Sequence, residues 1–184
     1  MALTHTPEAD LGLPAPDFLL RGVDGRDHSL ESCRGANGLL VMFICNHCPY
    51  VKAIHQRLVE DCRELQRQGI GCIAIMPNDT ERYPADSFDN MILTAEQWNL
   101  PFPYVIDTTQ EVARAYGAVC TPDFFGFDKE LKLRYRGRLD PYGPSDSVPD
   151  ERQRELLNAM SAIGEGGDGP REQIPSMGCS IKWA

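Results

Sequence analysis

The sequence has a shortage of positive charge and no long apolar run. Its 184 residues include 18 Lys and Arg against 27 Asp and Glu, which gives a net charge of −9. A surface of this charge repels phosphate backbones and anionic lipid headgroups. The longest apolar run, residues 39–45, is too short to cross a bilayer and predicts a buried strand instead. We therefore expect no nucleic-acid partner and no membrane partner.

The N-terminal segment lacks the features of a secretory signal. Residues 1–20 contain no Lys or Arg, and Pro7, Pro14 and Pro16 interrupt them. We therefore expect a cytoplasmic protein. Seven cysteines is an odd number, and a reducing compartment keeps thiols unpaired, so a full set of structural disulfides is not expected. The cysteines are instead candidates for chemistry.

Domain boundaries and internal repeats are absent from the sequence pattern. We therefore predict a single domain over residues 1–184, with a core at about 15–163 and a flexible C-terminal tail at 164–184. The segment 164–170 is rich in Gly, and the residues after it show no periodicity. A chain of this length buries roughly two-thirds of its unfolded surface, so it requires no disulfide scaffold, structural metal or cofactor to fold.

Apolar runs alternate with amphipathic stretches, which predicts an α/β fold with a mixed central sheet flanked by helices. The turn residues Asp24 and Gly25 predict an N-terminal β-hairpin that begins near residue 18 and ends near residue 30. Buried strands are predicted at 39–44, 71–76 and 104–107, and a closing hairpin at 124–127 and 131–136. Helices are predicted from Cys45 to Gly69, at 87–98, at 109–116 and around 156–163, before a C-terminal extension.

The most informative motif is Cys45-Asn46-His47-Cys48, where the first long strand meets its helix. Two thiols at this spacing can close a disulfide, and the free amides at a helix N-terminus favour a thiolate. His47 adds a cation beside the thiols when it is protonated. We therefore predict that Cys45 is the low-pKa nucleophile and that Cys48, one turn deeper, is the resolving thiol.

These motifs resemble the thioredoxin superfamily, and within it the peroxiredoxin-like branch (redoxin, alkyl hydroperoxide reductase and thiol-specific antioxidant). The resemblance rests on Ala15-Pro16-Asp17-Phe18, on the Cys-x-x-Cys helix and on the segment 116–122. It implies a thioredoxin-like fold in which Pro122 is a cis-proline beside the dithiol and Thr121 offers its backbone to an extended substrate segment. It also implies thiol–disulfide exchange, with protein or small-molecule disulfides as substrates and a further redox partner.

Two departures from the family pattern change what is expected. The peroxidase frame Pro-x-x-x-Thr-x-x-Cys is absent, because Val41 and Cys45 precede Cys48 at its positions, and Gly38 and Met42 precede Cys45. A peroxiredoxin-like peroxidase is therefore the first alternative rather than the main prediction. The buried acid of thioredoxins, six residues before the first cysteine, is replaced by Leu39. His47, water or an acid elsewhere must then accept the thiol proton.

Two further cysteines are candidates for the same site. Cys120 lies two positions before Pro122, and Cys179 lies in the tail, so each is a possible auxiliary redox thiol. The alternatives are a small residue in a tight loop for Cys120 and an ordinary tail residue for Cys179. A second alternative function is a soft-metal site for copper or zinc built from Cys45, Cys48 and Cys120, with His47 as an optional fourth ligand. A second Cys-x-x-Cys, which would favour zinc, does not occur.

Overall fold

The computed structural model describes residues 2–184. Its strands are β1 (Leu3–His5), β2 (Leu19–Gly22), β3 (Asp27–Ser29), β4 (Gly38–Phe43), β5 (Ile70–Met76), β6 (Tyr104–Ile106), β7 (Cys120–Thr121), β8 (Asp123–Phe127), β9 (Leu133–Tyr135) and β10 (Met177–Ser180). Its helices are α1 (Leu30–Cys33), α2 (Pro49–Arg67), α3 (Phe88–Gln97), α4 (Glu111–Tyr116) and α5 (Glu155–Gly164), with a 3-10 turn at Pro84–Asp86.

The central sheet is mixed, in the strand order β3-β2-β6-β5-β4-β8-β9. Strands β4, β5 and β6 are parallel, and the other neighbours are antiparallel. Every residue of β4 is buried, because α2, α3 and α5 cover one face of the sheet while α1 and α4 cover the other. The predicted mixed α/β fold is therefore confirmed, and so is the N-terminal hairpin, which is formed by β2 and β3.

Helix α2 begins four residues later than predicted. Its first residue is Pro49, which suits a first helical turn because its ring fixes φ and it has no N–H to leave unpaired. Cys48 is the N-cap residue, and residues 44–47 form the loop between β4 and the helix. The predicted placement of both thiols in the first helical turn is therefore wrong, and Cys48 is the thiol nearest the helix amides.

The C-terminal residues contain regular structure where an irregular tail was predicted. Strand β10 lies between β1 and β7 in a second, three-stranded antiparallel sheet. Cys179 and Ile181 are buried there. A strand of four residues that includes a glycine has no visible alternation, so its pairing partners, which are far away in the sequence, determine its structure.

No helix among residues 2–184 is long and apolar enough to cross a membrane.

Candidate active site

The loop before α2 places both thiols of the Cys-x-x-Cys motif against Thr121. Cys45 Sγ lies 3.4 Å from Thr121 Oγ1, and Cys48 Sγ lies 3.2 Å from the carbonyl oxygen of the same residue. The Thr121–Pro122 peptide bond is cis, as the resemblance implied. Both thiols are fully buried. The structure therefore brings residues 45 and 48 against residues 121 and 122, which follow the two cysteines by more than seventy positions.

The pKa values of the two thiols are shifted in opposite directions. A hydrogen bond from the Cys45 thiol is the largest cause that lowers the pKa of Cys48, to about 5, and the backbone N–H of Val51 in the first turn of α2 adds to it against the opposing effect of burial. The pKa of Cys45 is raised, first by this same hydrogen bond, then by burial and by the carboxylate of Asp86. This order of the two pKa values is opposite to the predicted one. The hydrogen bonds from the Cys45 and Cys179 thiols are the first two causes that lower the pKa of Cys48, and the backbone N–H of Val51 follows them.

A buried carboxylate that the sequence analysis did not identify supports the loop from behind. Asp86 accepts hydrogen bonds from the backbone N–H of Asn46 at 2.8 Å, from the backbone N–H of His47 at 3.3 Å and from Asn78 Nδ2 at 2.8 Å. Its side chain is fully buried and lies 2.6 Å from His47 Nδ1. The only signal in the sequence was a polar loop after β5, at the carboxyl edge of the sheet where α/β sites are commonly found.

His47 is oriented toward this carboxylate more closely than toward a thiol. Its Nδ1 lies 2.6 Å from Asp86 Oδ2 and 3.9 Å from Cys45 Sγ, and its ring stacks on that of Tyr83 with 6.1 Å between centroids. Since Nδ1 carries a single proton, the bond to Asp86 uses it. His47 thus contacts Asp86 both through its ring and through its backbone N–H, which links the carboxylate to the loop.

One group of side chains in the described residues could hold a metal ion. The ligand atoms of Cys45, His47 and Asp86 all lie within 4.8 Å of one another. A sulfur, a nitrogen and an oxygen ligand form a set that zinc accepts. The grouping differs from the predicted soft-metal set, because Asp86 takes the place that Cys48 and Cys120 were expected to fill.

The two auxiliary cysteines differ in their placement. Cys179 Sγ lies 2.9 Å from Cys48 Sγ, although 131 positions separate the two residues. Cys120 Sγ donates instead to the carbonyl oxygen of Pro122 at 3.5 Å. Burial, followed by the charge of Asp123, raises the pKa of Cys120. Of the two candidates, Cys179 is the one that contacts the dithiol.

The edge that was expected to receive a substrate is paired with the protein's own C-terminal strand. In the antiparallel register of β10 and β7, Cys179 stands opposite Thr121. The pairing extends beyond β10, since the Ile181 N–H donates to the carbonyl oxygen of Val119 at 3.1 Å. The backbone of Thr121 is thus occupied by residue 179, whose side chain reaches the dithiol.

A dithiol at the end of a central parallel strand, facing a cis-proline turn, defines a thioredoxin-like oxidoreductase. The thioredoxin domain of a thiol-disulfide oxidoreductase from Bacteroides vulgatus has the same fold, with a TM-score of 0.59 at 18% identity over 70% of this chain and 89% of that one. The AhpC/TSA family matches residues 11–136, and the chain belongs to that family, in the redoxin branch of the thioredoxin superfamily.

Two relatives are more similar to this chain in sequence than the Bacteroides vulgatus domain is. The thiol-disulfide oxidoreductase ResA of Geobacillus thermodenitrificans is 31% identical over 131 residues, which cover 71% of each chain. A solved structure from Geobacillus kaustophilus, described as an uncharacterized conserved protein, is 44% identical and covers 100% of this chain and 97% of that one, with a TM-score of 0.95. The second match includes the C-terminal segment that lies beyond the family match at residue 136.

Proposed function

We propose that the protein catalyses thiol–disulfide exchange through Cys45 and Cys48. The observation that carries the proposal is the contact of both sulfurs with Thr121, at 3.4 and 3.2 Å, next to the cis-proline. This arrangement holds two thiols beside one residue, so that one thiol can form a mixed disulfide with a substrate and the other can resolve it. The pKa of Cys48, lowered to about 5, supplies a thiolate at neutral pH.

The exchange begins with attack of the Cys48 thiolate on a substrate disulfide. A bond forms between Cys48 Sγ and one substrate sulfur, and the other substrate sulfur leaves as a thiolate. Once Cys48 carries no charge, the main cause of the high pKa of Cys45 is gone, and Cys45 can transfer its proton to the departing thiolate. The Cys45 thiolate then attacks Cys48, the second substrate sulfur leaves as a thiolate that takes its proton from water, and the Cys45–Cys48 disulfide closes. A redox partner that supplies two thiols returns the pair to its reduced form.

His47 and Asp86 act in this scheme as positioning residues. Asp86 accepts from the backbone N–H groups of Asn46 and His47, the two residues between the thiols, so it fixes the loop that carries them. It also keeps negative charge near Cys45, which favours a neutral thiol there and a thiolate at Cys48.

The substrates that we propose are protein or small-molecule disulfides. Because β10 is paired with Thr121, a small disulfide must enter beside the strand, and a protein segment must replace it. The reverse reaction, oxidation of a dithiol, uses the same atoms, and the reduction potential of the partner determines the direction.

The test is to mix reduced protein with oxidised glutathione or, separately, with hydrogen peroxide, and to follow each thiol by mass spectrometry. We expect the disulfide to produce a Cys45–Cys48 disulfide faster than peroxide produces any oxidised thiol, because the peroxidase frame is absent. Cys48→Ser should abolish the reaction, and Cys33→Ser, which removes a half-buried thiol on α1, should not. Faster consumption of a thiol by peroxide would favour the peroxidase alternative and overturn the proposal.

A cytoplasmic location is proposed as well. All seven cysteines are free thiols, the state that a reducing compartment maintains. Fractionation of cells that produce the full chain, with detection by antibody, tests this location, and recovery in a secreted or periplasmic fraction would contradict it.

A further inference from the structure

A cysteine near the C-terminus contacts the Cys48 sulfur. Cys179 Sγ lies 2.9 Å from Cys48 Sγ, and both side chains are almost completely buried. Cys48 also accepts the hydrogen bond from Cys45. The Cys48 sulfur therefore has two thiol neighbours, one from its own loop and one from β10.

The position of Cys179 is built into the fold. Strand β10 is paired on both sides, with Leu3 of β1 and Thr121 of β7 opposite residue 179. A side chain at Gly178 would overlap the carbonyl oxygen of Thr121, so the close approach of the two strands requires a glycine there. The pairing and the glycine together fix the Cys179 sulfur at the dithiol.

The residues after β10 anchor the same segment. The Lys182 backbone N–H donates to Asn78 Oδ1 at 2.9 Å, and Asn78 in turn donates to Asp86. The backbone N–H of Ala184 donates to Gln110 Oε1 at 2.9 Å. The C-terminal segment is thus tied to the same hydrogen-bond network that holds the Cys45–Cys48 loop.

We propose that Cys179 is a third redox thiol, which forms a disulfide with Cys48 as an alternative to the Cys45–Cys48 disulfide. Strand β10 occupies the edge at Thr121 and presents Cys179 as an internal substrate would present its cysteine. The proposal rests on the proposed function and adds to it an exchange within the chain.

The internal exchange involves no net change in oxidation state. Starting from the Cys45–Cys48 disulfide, the Cys179 thiol loses its proton and its sulfur attacks Cys48 Sγ. The Cys48–Cys179 bond forms, the Cys45–Cys48 bond breaks, and the proton goes to the departing Cys45 sulfur. The same attack resolves a mixed disulfide between Cys48 and a substrate, and then the proton leaves with the substrate thiol.

The ionisation of Cys179 is compatible with this order of events. Burial is the largest cause that raises its pKa, to about 12, and the hydrogen bond to Cys48 and the charge of that sulfur add to it. Once Cys48 is in a disulfide, the contributions from its charge are removed, while Lys182 still favours the thiolate. Cys179 therefore becomes a better nucleophile when Cys48 is oxidised than when Cys48 is reduced.

The test uses Cys45→Ser, which leaves Cys179 and β10 unchanged. The reduced variant is treated with oxidised glutathione, quenched with acid, alkylated and digested with trypsin without reduction. Trypsin releases residues 35–52, with Cys48 as the remaining cysteine of that peptide, and residues 172–182, with Cys179. We expect these two peptides to be joined by a disulfide, and Cys33→Ser in the same background should not change the yield.

The double variant Cys45→Ser, Cys179→Ser completes the experiment. Without a second thiol, the Cys48–glutathione mixed disulfide should persist at least about tenfold longer than in Cys45→Ser, since intramolecular attack is much faster than attack from solution. Circular dichroism establishes that the double variant is folded. A persistent mixed disulfide in Cys45→Ser, with no joined peptides, would overturn the role of Cys179 while the Cys45–Cys48 disulfide of the wild type leaves the proposed function intact. Absence of that disulfide in the wild type would instead contradict the proposed function.

Discussion

His47 Nδ1 lies 2.6 Å from Oδ2 of Asp86, a carboxylate that is completely buried behind the Cys45–Cys48 loop. The backbone N–H groups of Asn46 and His47 donate to Oδ1 of the same carboxylate. One side chain therefore fixes the backbone between the two thiols, holds the imidazole and places negative charge near Cys45. The distribution of charge within the dithiol depends on a residue that lies 38 positions after Cys48.

Replacement of Asp86 by Asn should lower the pKa of Cys45. The carboxylate charge is one of the causes that raise this pKa, and the amide removes the charge while it keeps an acceptor for the loop. The measurement is a titration of thiolate ultraviolet absorbance in a Cys48→Ser background, where the thiolate of Cys48 no longer contributes. Asp89→Asn, which removes an exposed carboxylate from the first turn of α3, serves as the control. An unchanged Cys45 titration in Asp86→Asn would contradict the assigned effect of the carboxylate.

The wild-type protein should form a thiolate at an unusually low pH. The pKa of Cys48, lowered to about 5 first by the hydrogen bond from the Cys45 thiol, predicts that the reduced protein gains thiolate absorbance near this pH. Cys48→Ser should lose this transition completely. Cys45→Ser should move it to higher pH, because the hydrogen bond from the Cys45 thiol is the largest cause of the low pKa. Loss of the transition in Cys45→Ser and its survival in Cys48→Ser would return the nucleophilic role to Cys45.

The stability of the reduced protein should fall as the pH falls from about 9 to about 5. The folded pKa of Cys48 is depressed from its ordinary value of 9.0 to about 5, so the folded state binds fewer protons than the unfolded state in this range. The stabilising contribution of the Cys48 thiolate is fully present above the unfolded-state pKa and is lost as the pH falls through the folded-state pKa.

Urea unfolding of the reduced wild type and of Cys48→Ser across this pH range measures the contribution of the thiolate. The free energy of unfolding should depend less steeply on pH in Cys48→Ser, whereas Cys33→Ser should match the wild type. Parallel pH profiles for the wild type and Cys48→Ser would show that the thiolate does not stabilise the fold.

Gly178→Ala should displace β10 from β7. The added methyl group would overlap the carbonyl oxygen of Thr121, a backbone atom that cannot rotate away. Overpacking of this kind costs about 1–3 kcal/mol, and here it also moves Cys179 from Cys48. We expect a lower melting temperature and faster reaction of Cys48 with an aromatic disulfide reagent. Gly143→Ala, in a loop where the new methyl group meets only the Asp146 carboxylate, is the matched control. Wild-type thiol reactivity in Gly178→Ala would show that β10 does not shield the dithiol.

The central part of the fold and the position of the dithiol along the chain follow from the amino-acid sequence alone. The apolar run at 39–44 has no polar position for either face of a sheet, so it could only form a strand covered on both sides, which β4 is. The Cys45–Cys48 spacing and the family pattern around Pro122 indicated the redox chemistry and the cis-proline. The strand follows from local apolarity, and the cis-proline is what the resemblance to the family implies.

The surroundings of the dithiol depend on contacts between distant segments of the folded chain. The thiols of Cys45 and Cys179 donate to Cys48, and the helix amides that begin after Pro49 add to their effect, so the pKa order is the reverse of the expected one. Asp86 and Cys179 reach the dithiol from 38 and 131 positions after Cys48, through a loop and a strand with no periodicity of their own. Their contacts depend on hydrogen bonds and strand pairing between distant segments, which form only when the chain is folded. No window of the sequence contains both partners of such a contact, and for this reason the sequence placed the thiols but not the groups that control them.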